Sequence, residues 1–207
     1  MKRFLSLLFV CAMLIPTAAE AKWESNGQVL LVLGNRPFAK YEINDAISGA
    51  LYAQLGVFGS IRGTAMMFGY FGPELTFGAT NTNLKVLTGL WATQDGGFSV
   101  IGSVWVTQPL PYDLTLFVEG DAYFPADGSG PHSVRNYYTF FALDWFRPGN
   151  AAGFGIVQEN FLSESTFDEA AIGPSVLLGT GRIWVAYDFT PEIAGDHVLY
   201  LRLIWNF

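Results

Sequence analysis

The chain has 207 residues, one cysteine and a formal net charge of −7, and 51% of its residues are hydrophobic. So acidic a chain lacks the basic footprint that nucleic acid requires, and a single cysteine allows no disulfide framework. Beyond residue 21 no uninterrupted apolar run reaches the ~20 residues of a membrane-spanning helix, so the apolar residues must be interleaved with polar ones.

Residues 1–21 read as an export signal. Lys2 and Arg3 supply the charged start, Phe4 through Ile15 the apolar stretch, and Ala19-Glu20-Ala21 the small residues of a cleavage site. Cys11 sits inside the apolar stretch behind Val10, where lipid attachment would call for a small residue. Removing this segment takes away Lys2, Arg3 and Glu20, leaving nine basic and seventeen acidic residues, a net charge of −8, and no cysteine. Residues 22–207 are then one domain, with no linker or repeat to divide them.

Residues 22–83 are the hardest to read. Gln28 to Leu33 suggests a strand. Between Glu42 and Leu55, the residues Ile43, Ala46, Ile47, Ala50, Leu51 and Leu55 stand at helical spacing, which predicts a helix after Asn44. The same stretch also reads as a strand through Leu51, Ala53, Leu55 and Val57. Tyr70-Phe71-Gly72-Pro73 and Asn81-Thr82-Asn83 predict turns.

From Leu84 onward the pattern has period two. Leu84, Val86, Thr88 and Leu90 alternate with Lys85, Gly89 and Thr93. Phe98, Val100, Gly102, Val104 and Val106 alternate with Ser99, Ser103 and Thr107. Leu114, Leu116, Val118, Gly120, Ala122 and Phe124 oppose Thr115, Glu119 and Asp121, and Tyr137, Phe141, Leu143 and Trp145 oppose Asn136, Ala142 and Asp144. Segments at 151–160, 171–180, 182–190 and 197–207 bring the count to eight. Each has about the 9–11 residues that a tilted membrane strand needs.

The last segment is the most telling. Leu199, Leu201, Leu203, Trp205 and Phe207 fall on one face, with Tyr200, Arg202 and Asn206 between them. With the export signal and the alternating strands, this ending resembles the C-terminal signature of small bacterial outer-membrane β-barrels. The resemblance is to the class and to no particular family. It implies an antiparallel up-and-down transmembrane barrel of about ten strands, with eight or twelve as the other counts that residues 22–83 allow. It also implies residence in the bacterial outer membrane, outer-membrane lipid as surroundings, and the barrel insertion machinery as a partner that reads Leu203, Trp205 and Phe207. A periplasmic Phe207 places the longer connections, 125–135, 161–169 and 191–196, outside; the shorter ones, at 109–112, 148–150 and Gly181, fall inside, with Asp95-Gly96-Gly97 the short exception outside. That asymmetry is expected of such barrels.

The alternation points Lys85, Glu119, Asp121, Asp144, Arg182, Asp188 and Arg202 into the lumen, where Trp91, Trp105, Phe117, Tyr123, Tyr138, Trp184 and Tyr200 join them. A charge facing lipid at mid-depth costs about 2–4 kcal/mol, so these groups must meet water or one another. Asp121, Asp144, Arg182, Asp188 and Arg202 could converge near one level. Trp145, Tyr187, Trp205 and Phe207, near strand ends on the other face, suit an interfacial girdle. Two functions follow: a barrel that binds or passes a small solute through a polar, aromatic lumen, or a non-conducting scaffold with a packed charged interior. An enzyme is not indicated. His132 and Ser133 are adjacent on a loop and point apart, and His197 belongs to a polar rim near Asp196 and Glu192, so no nucleophile faces a base. No cysteine–histidine cluster suggests a metal, and no motif suggests a cofactor.

Overall fold

The computed structural model describes residues 21–33, 38–60, 63, 65–94, 96–126, 136–147, 149–163, 167–179, 181–188 and 198–206. Twelve strands run in chain order: β1 (Lys22–Leu33), β2 (Phe38–Ser48), β3 (Leu51–Ser60), β4 (Ala65–Phe77), β5 (Thr82–Thr93), β6 (Phe98–Leu110), β7 (Leu114–Pro125), β8 (Asn136–Trp145), β9 (Ala152–Ser163), β10 (Phe167–Leu178), β11 (Gly181–Asp188) and β12 (Val198–Asn206). Each pairs antiparallel with its neighbours in sequence, and β1 closes on β12 from Asn26↔Asn206 to Leu33↔Leu199. Closure leaves no strand edge unpaired, which is the condition for a sheet to stand in lipid.

The count of twelve corrects the main expectation of ten, and the whole difference lies before Leu84. No helix forms over 42–55. Glu42 through Ser48 completes β2, the chain bends at Gly49 and Ala50, and β3 continues from Leu51, pairing Ile43 with Val57 and Asp45 with Leu55. The spacing that resembled a helix combines outward-facing Ile43 and Ile47 with inward-facing Ala46 across a two-residue turn. Tyr70-Phe71-Gly72-Pro73 is not a turn but the middle of β4. Gly72 is required there by closeness: a Cβ at this position would lie 2.1 Å from the carbonyl oxygen of Val86 on β5. The turn expected at 81–83 falls at 78–81, with Asn81 in the left-handed region at φ 52°.

The burial pattern is inverted relative to a water-soluble protein. Leu55 is 72% exposed, Met67 63% and Leu90 57%, whereas Asp121 and Asp188 are 4% exposed. An apolar exterior wrapped around buried carboxylates is stable only with lipid outside. Aromatic residues mark both edges of this exterior. Trp23, Phe77, Trp145, Phe154 and Trp205 lie near one end, with Trp145 and Phe154 stacked at 6.5 Å, and Phe98, Phe124, Tyr137 and Tyr187 lie near the other. The end where β1 begins and β12 finishes carries connections at 49–50, 78–81, 111–113, 146–151 and 179–180. The opposite end carries the two longest, 126–135 and 189–197. Short turns belong to the periplasmic side and long loops to the exterior. Residues 1–20, with Cys11, as well as His132, Ser133, His197 and Phe207, lie outside the described residues.

Candidate functional site: the barrel lumen

Inward-facing residues come from alternate positions on every strand, and their size decides where the lumen is filled. In the half toward the long loops they enclose a cavity of about 750 Å³. Its wall includes a run of rings. Phe68 stacks on Trp91 at 5.7 Å and 19°, Trp91 meets the edge of Tyr123 at 5.8 Å, and Tyr123 and Tyr138 both pack on Phe161. A further row of rings crosses the barrel beneath. Tyr52, Trp105, Phe117, Phe140 and Trp184 touch edge to face in succession, from β3 to β11, with centroids 5.3, 6.4, 5.9 and 5.9 Å apart. A cation caps each end of this bar. Lys85 stands 3.9 Å from the Tyr52 ring centre, and the Arg202 guanidinium 4.9 Å from that of Trp184.

Four carboxylates and two cations, Glu42, Glu119, Asp121, Glu159, Lys40 and Arg202, also line the cavity. Asp121 accepts hydrogen bonds from the Tyr70 hydroxyl at 2.8 Å, the Tyr123 hydroxyl at 3.2 Å and the Ser103 hydroxyl. Glu159 accepts from Tyr138 at 2.8 Å and pairs with Arg202 at 2.9 Å, three strands away around the wall. Glu42 accepts from Asn44 Nδ2 at 2.7 Å, and the same amide donates to Asn26 at 2.9 Å. Glu119 has no hydrogen bond or ion pair among the described residues. Room for this arrangement is made at Gly56, where a Cβ would stand 2.1 Å from the Phe68 ring and 2.2 Å from Asn44 Oδ1.

The residues singled out in the sequence are distributed as follows. Trp91, Trp105, Glu119, Asp121 and Arg202 line the cavity. Trp184 and Lys85 hold the ends of the aromatic bar, and Lys85 also stands 3.8 Å from Glu74, which accepts from Ser48, the Gly49 amide and Asn83. Arg182 and Asp144 form an ion pair of their own near the periplasmic end. Asp188 ends β11 at its outer tip, six residues from Arg182, about 20 Å along the strand. The expected convergence of Asp121, Asp144, Arg182, Asp188 and Arg202 at one level is therefore overturned; they occupy different depths. Leu203 and Trp205 lie on β12 along the closure seam, opposite Val29 and Gly27.

Glu42, Glu159, Asn44, Tyr52 and Tyr70 escaped the sequence reading. On β9 the polarity alternates backwards: inward positions hold Gly153, Gly155 and Val157 before Glu159, while outward positions include Gln158 and Asn160. For Tyr52 a signal existed. Following the strand alternative through Leu51, Ala53 and Leu55 would have put Tyr52 and Gln54 on the inner face.

No family model and no curated protein matches the chain. Among solved structures it is similar to the KdgM porin, with a TM-score of 0.62 at 8% identity, covering 88% of this chain and 99% of that one. The KdgM porin in complex with disordered oligogalacturonate aligns equally, with a TM-score of 0.62 and the same coverage. The COG4313 outer membrane channel from Pseudomonas putida F1 aligns with a TM-score of 0.49 at 12% identity, covering 92% of this chain and 97% of that one. The chain is a bacterial outer-membrane β-barrel. Closure, the lipid-facing exterior and the porin-like fold agree on this. At such identities the likeness shows the fold alone, so the work of this barrel has to be argued from its own lumen.

Proposed function

We propose that the barrel binds a small solute in its outer cavity and passes it across the outer membrane. The observation that carries this reading is the cavity itself. About 750 Å³ lined by aromatic rings and a few oriented polar groups has the size and chemistry of a small-molecule site. Ring faces hold the apolar surface of a solute, and the carboxylates and amides hold its hydrogen-bonding groups. Oligogalacturonate, the ligand of the KdgM complex, is a polyacid. In this barrel it would meet Glu42, Glu119, Asp121 and Glu159 against Lys40 and Arg202, so the solute here is a neutral or cationic one.

A second reading has its own observation. The Lys85–Glu74, Arg182–Asp144 and Arg202–Glu159 pairs, together with the aromatic bar, fill much of the interior, as a non-conducting scaffold would require. Reconstitution separates the two. Vesicles containing the folded barrel should swell in isotonic solutions of small neutral sugars, and planar bilayers should show unitary conductance. Vesicles that stay impermeable to sugars, in bilayers that stay silent, would establish the scaffold.

A further inference from the structure

The barrel's inner wall is not equally tight all round. On the side formed by β8 to β11, Ala142, Val157, Ala171, Trp184 and Ala186 are 0–1% exposed and close the interior completely. On the side where β1 meets β12, the inward residues stay in contact with the lumen from the periplasmic mouth to the cavity. Glu24 is exposed, and Asn26, Gln28, Arg202 and Ile204 are each partly exposed. Asn26 and Gln28 already line the cavity, and Glu24 lies only two residues below Asn26, about 7 Å along the strand. The aromatic bar ends on either side of this wall, at Tyr52 on β3 and at Trp184 on β11, and Arg202 is held against Trp184 and Glu159.

We infer that the route across the barrel follows the β1–β12 wall, and that Glu42 and Glu119 make it selective for cations. The inference rests on the passage reading above and adds to it a path and a charge preference. Gln28 pairs in register with Glu42, and both line the same cavity as Asn26 and Glu119. Of the two cations that line the cavity, Arg202 is bound by both of its terminal nitrogens to Glu159 Oε1 at 3.1 Å, and Lys40 stands 5.3 Å from the Phe58 ring centre, two residues from Glu42. Asp121 is held in place by three hydroxyl donors, which orient it and leave its charge. Four carboxylates, Glu42, Glu119, Asp121 and Glu159, stand against two cations, so the lining keeps an excess of negative charge to which Glu42 and Glu119 contribute, and carboxylates along a path admit cations and turn anions away. Small alkali cations and compact organic ammonium ions suit such a path, and the rings of the cavity above offer the latter additional cation–π contact.

The test uses the full chain in planar bilayers under a potassium chloride gradient, with the heat-dependent gel shift of a folded barrel as the check on every variant. The inference expects a reversal potential on the cation side, moved toward zero by the isosteric changes Glu42→Gln and Glu119→Gln. Charge and route are probed separately with Asn26→Cys in a Cys11→Ser background. A cationic methanethiosulfonate should block this variant faster than an anionic one, while Ala142→Cys on the tight wall should react with neither. A silent bilayer overturns the passage reading itself. Conductance without cation preference, or with a preference that both glutamine variants leave intact, overturns the selectivity and spares the passage reading. An open channel in which the Asn26→Cys variant is inert to both reagents overturns the route alone.

Discussion

Two walls of one barrel solve different problems. Between β8 and β11 the interior is dry and filled: Trp184 packs on Phe140 at 5.9 Å, with Ala142, Val157 and Ala186 fully buried around it. Between β12 and β2 the inner face carries Asn26, Gln28, Glu42 and Asn44, and the Asn44 amide donates to both Asn26 and Glu42. Both walls use the same alternating strands and present the same apolar exterior. The difference lies wholly in alternate residues, so a transmembrane barrel can be apolar and filled on one side and polar on the other without altering its backbone plan.

The contrast can be broken most forcefully at Trp184. Trp184→Ala should cost about 3–5 kcal/mol, whereas Gln28→Ala on the polar wall should stay within about 0.5 kcal/mol. Urea unfolding of the barrel in lipid vesicles measures both, and equal losses would erase the distinction. Next comes the Arg182–Asp144 pair at the foot of the tight wall, whose side chains keep 17% and 12% exposure. Arg182→Met leaves Asp144 unmatched and should cost about 2–3 kcal/mol, less than a fully buried pair would lose because water reaches the mouth. The double variant with Asp144→Leu should regain most of it, and failure to regain it would mean that packing rather than charge governs that corner.

Smaller effects sharpen the comparison at glycines. At Gly173 a Cβ would come within 1.8 Å of the Val185 carbonyl oxygen, a backbone atom that cannot turn aside. Gly173→Ala should therefore cost about 1–3 kcal/mol. At Gly27 the Cβ would meet the Trp205 ring at 2.9 Å, and a side chain on the lipid face can shift. Gly27→Ala should cost less than about 1 kcal/mol, visible as a small displacement of the unfolding midpoint. A Gly27 variant as damaging as the Gly173 one would show that the seam is as rigid as the tight wall.

The sequence revealed much of this architecture wherever one face of a strand was uniformly apolar. On β6 and β7 the alternation from Phe98 to Phe124 located strands, faces and turns together, because each outward position must meet lipid. It failed where that contrast faded. Between Glu42 and Leu55, apolar residues occupy both faces around a bend of only two residues, and the period of two blurs into one of 3.6. The lumen was half legible. Facing could be read strand by strand for Trp91, Glu119 and Arg202. Partnership could not, since Arg202 reaches Glu159 from three strands away and only the closed circumference sets that distance. The distance in depth between the Asp144–Arg182 pair and Asp188 has the same origin: a strand pattern encodes side, whereas height depends on tilt and register around the whole barrel.

The seam between β1 and β12 has a consequence for how the molecule comes to exist. Eleven of its twelve strand pairings join neighbours in sequence, and each can zip as a hairpin with small loop-closure entropy. The twelfth joins Asn26 to Asn206, so it draws together nearly the whole chain and gives an otherwise local topology its one contact of very high order. Closure is thus the slow step by construction, and the strand that performs it bears Leu203 and Trp205 on its outer face. The last surface to be sealed against lipid is also the wall with the polar inner face of Asn26 and Gln28, so the joint completed latest in assembly is the one that the proposed route follows.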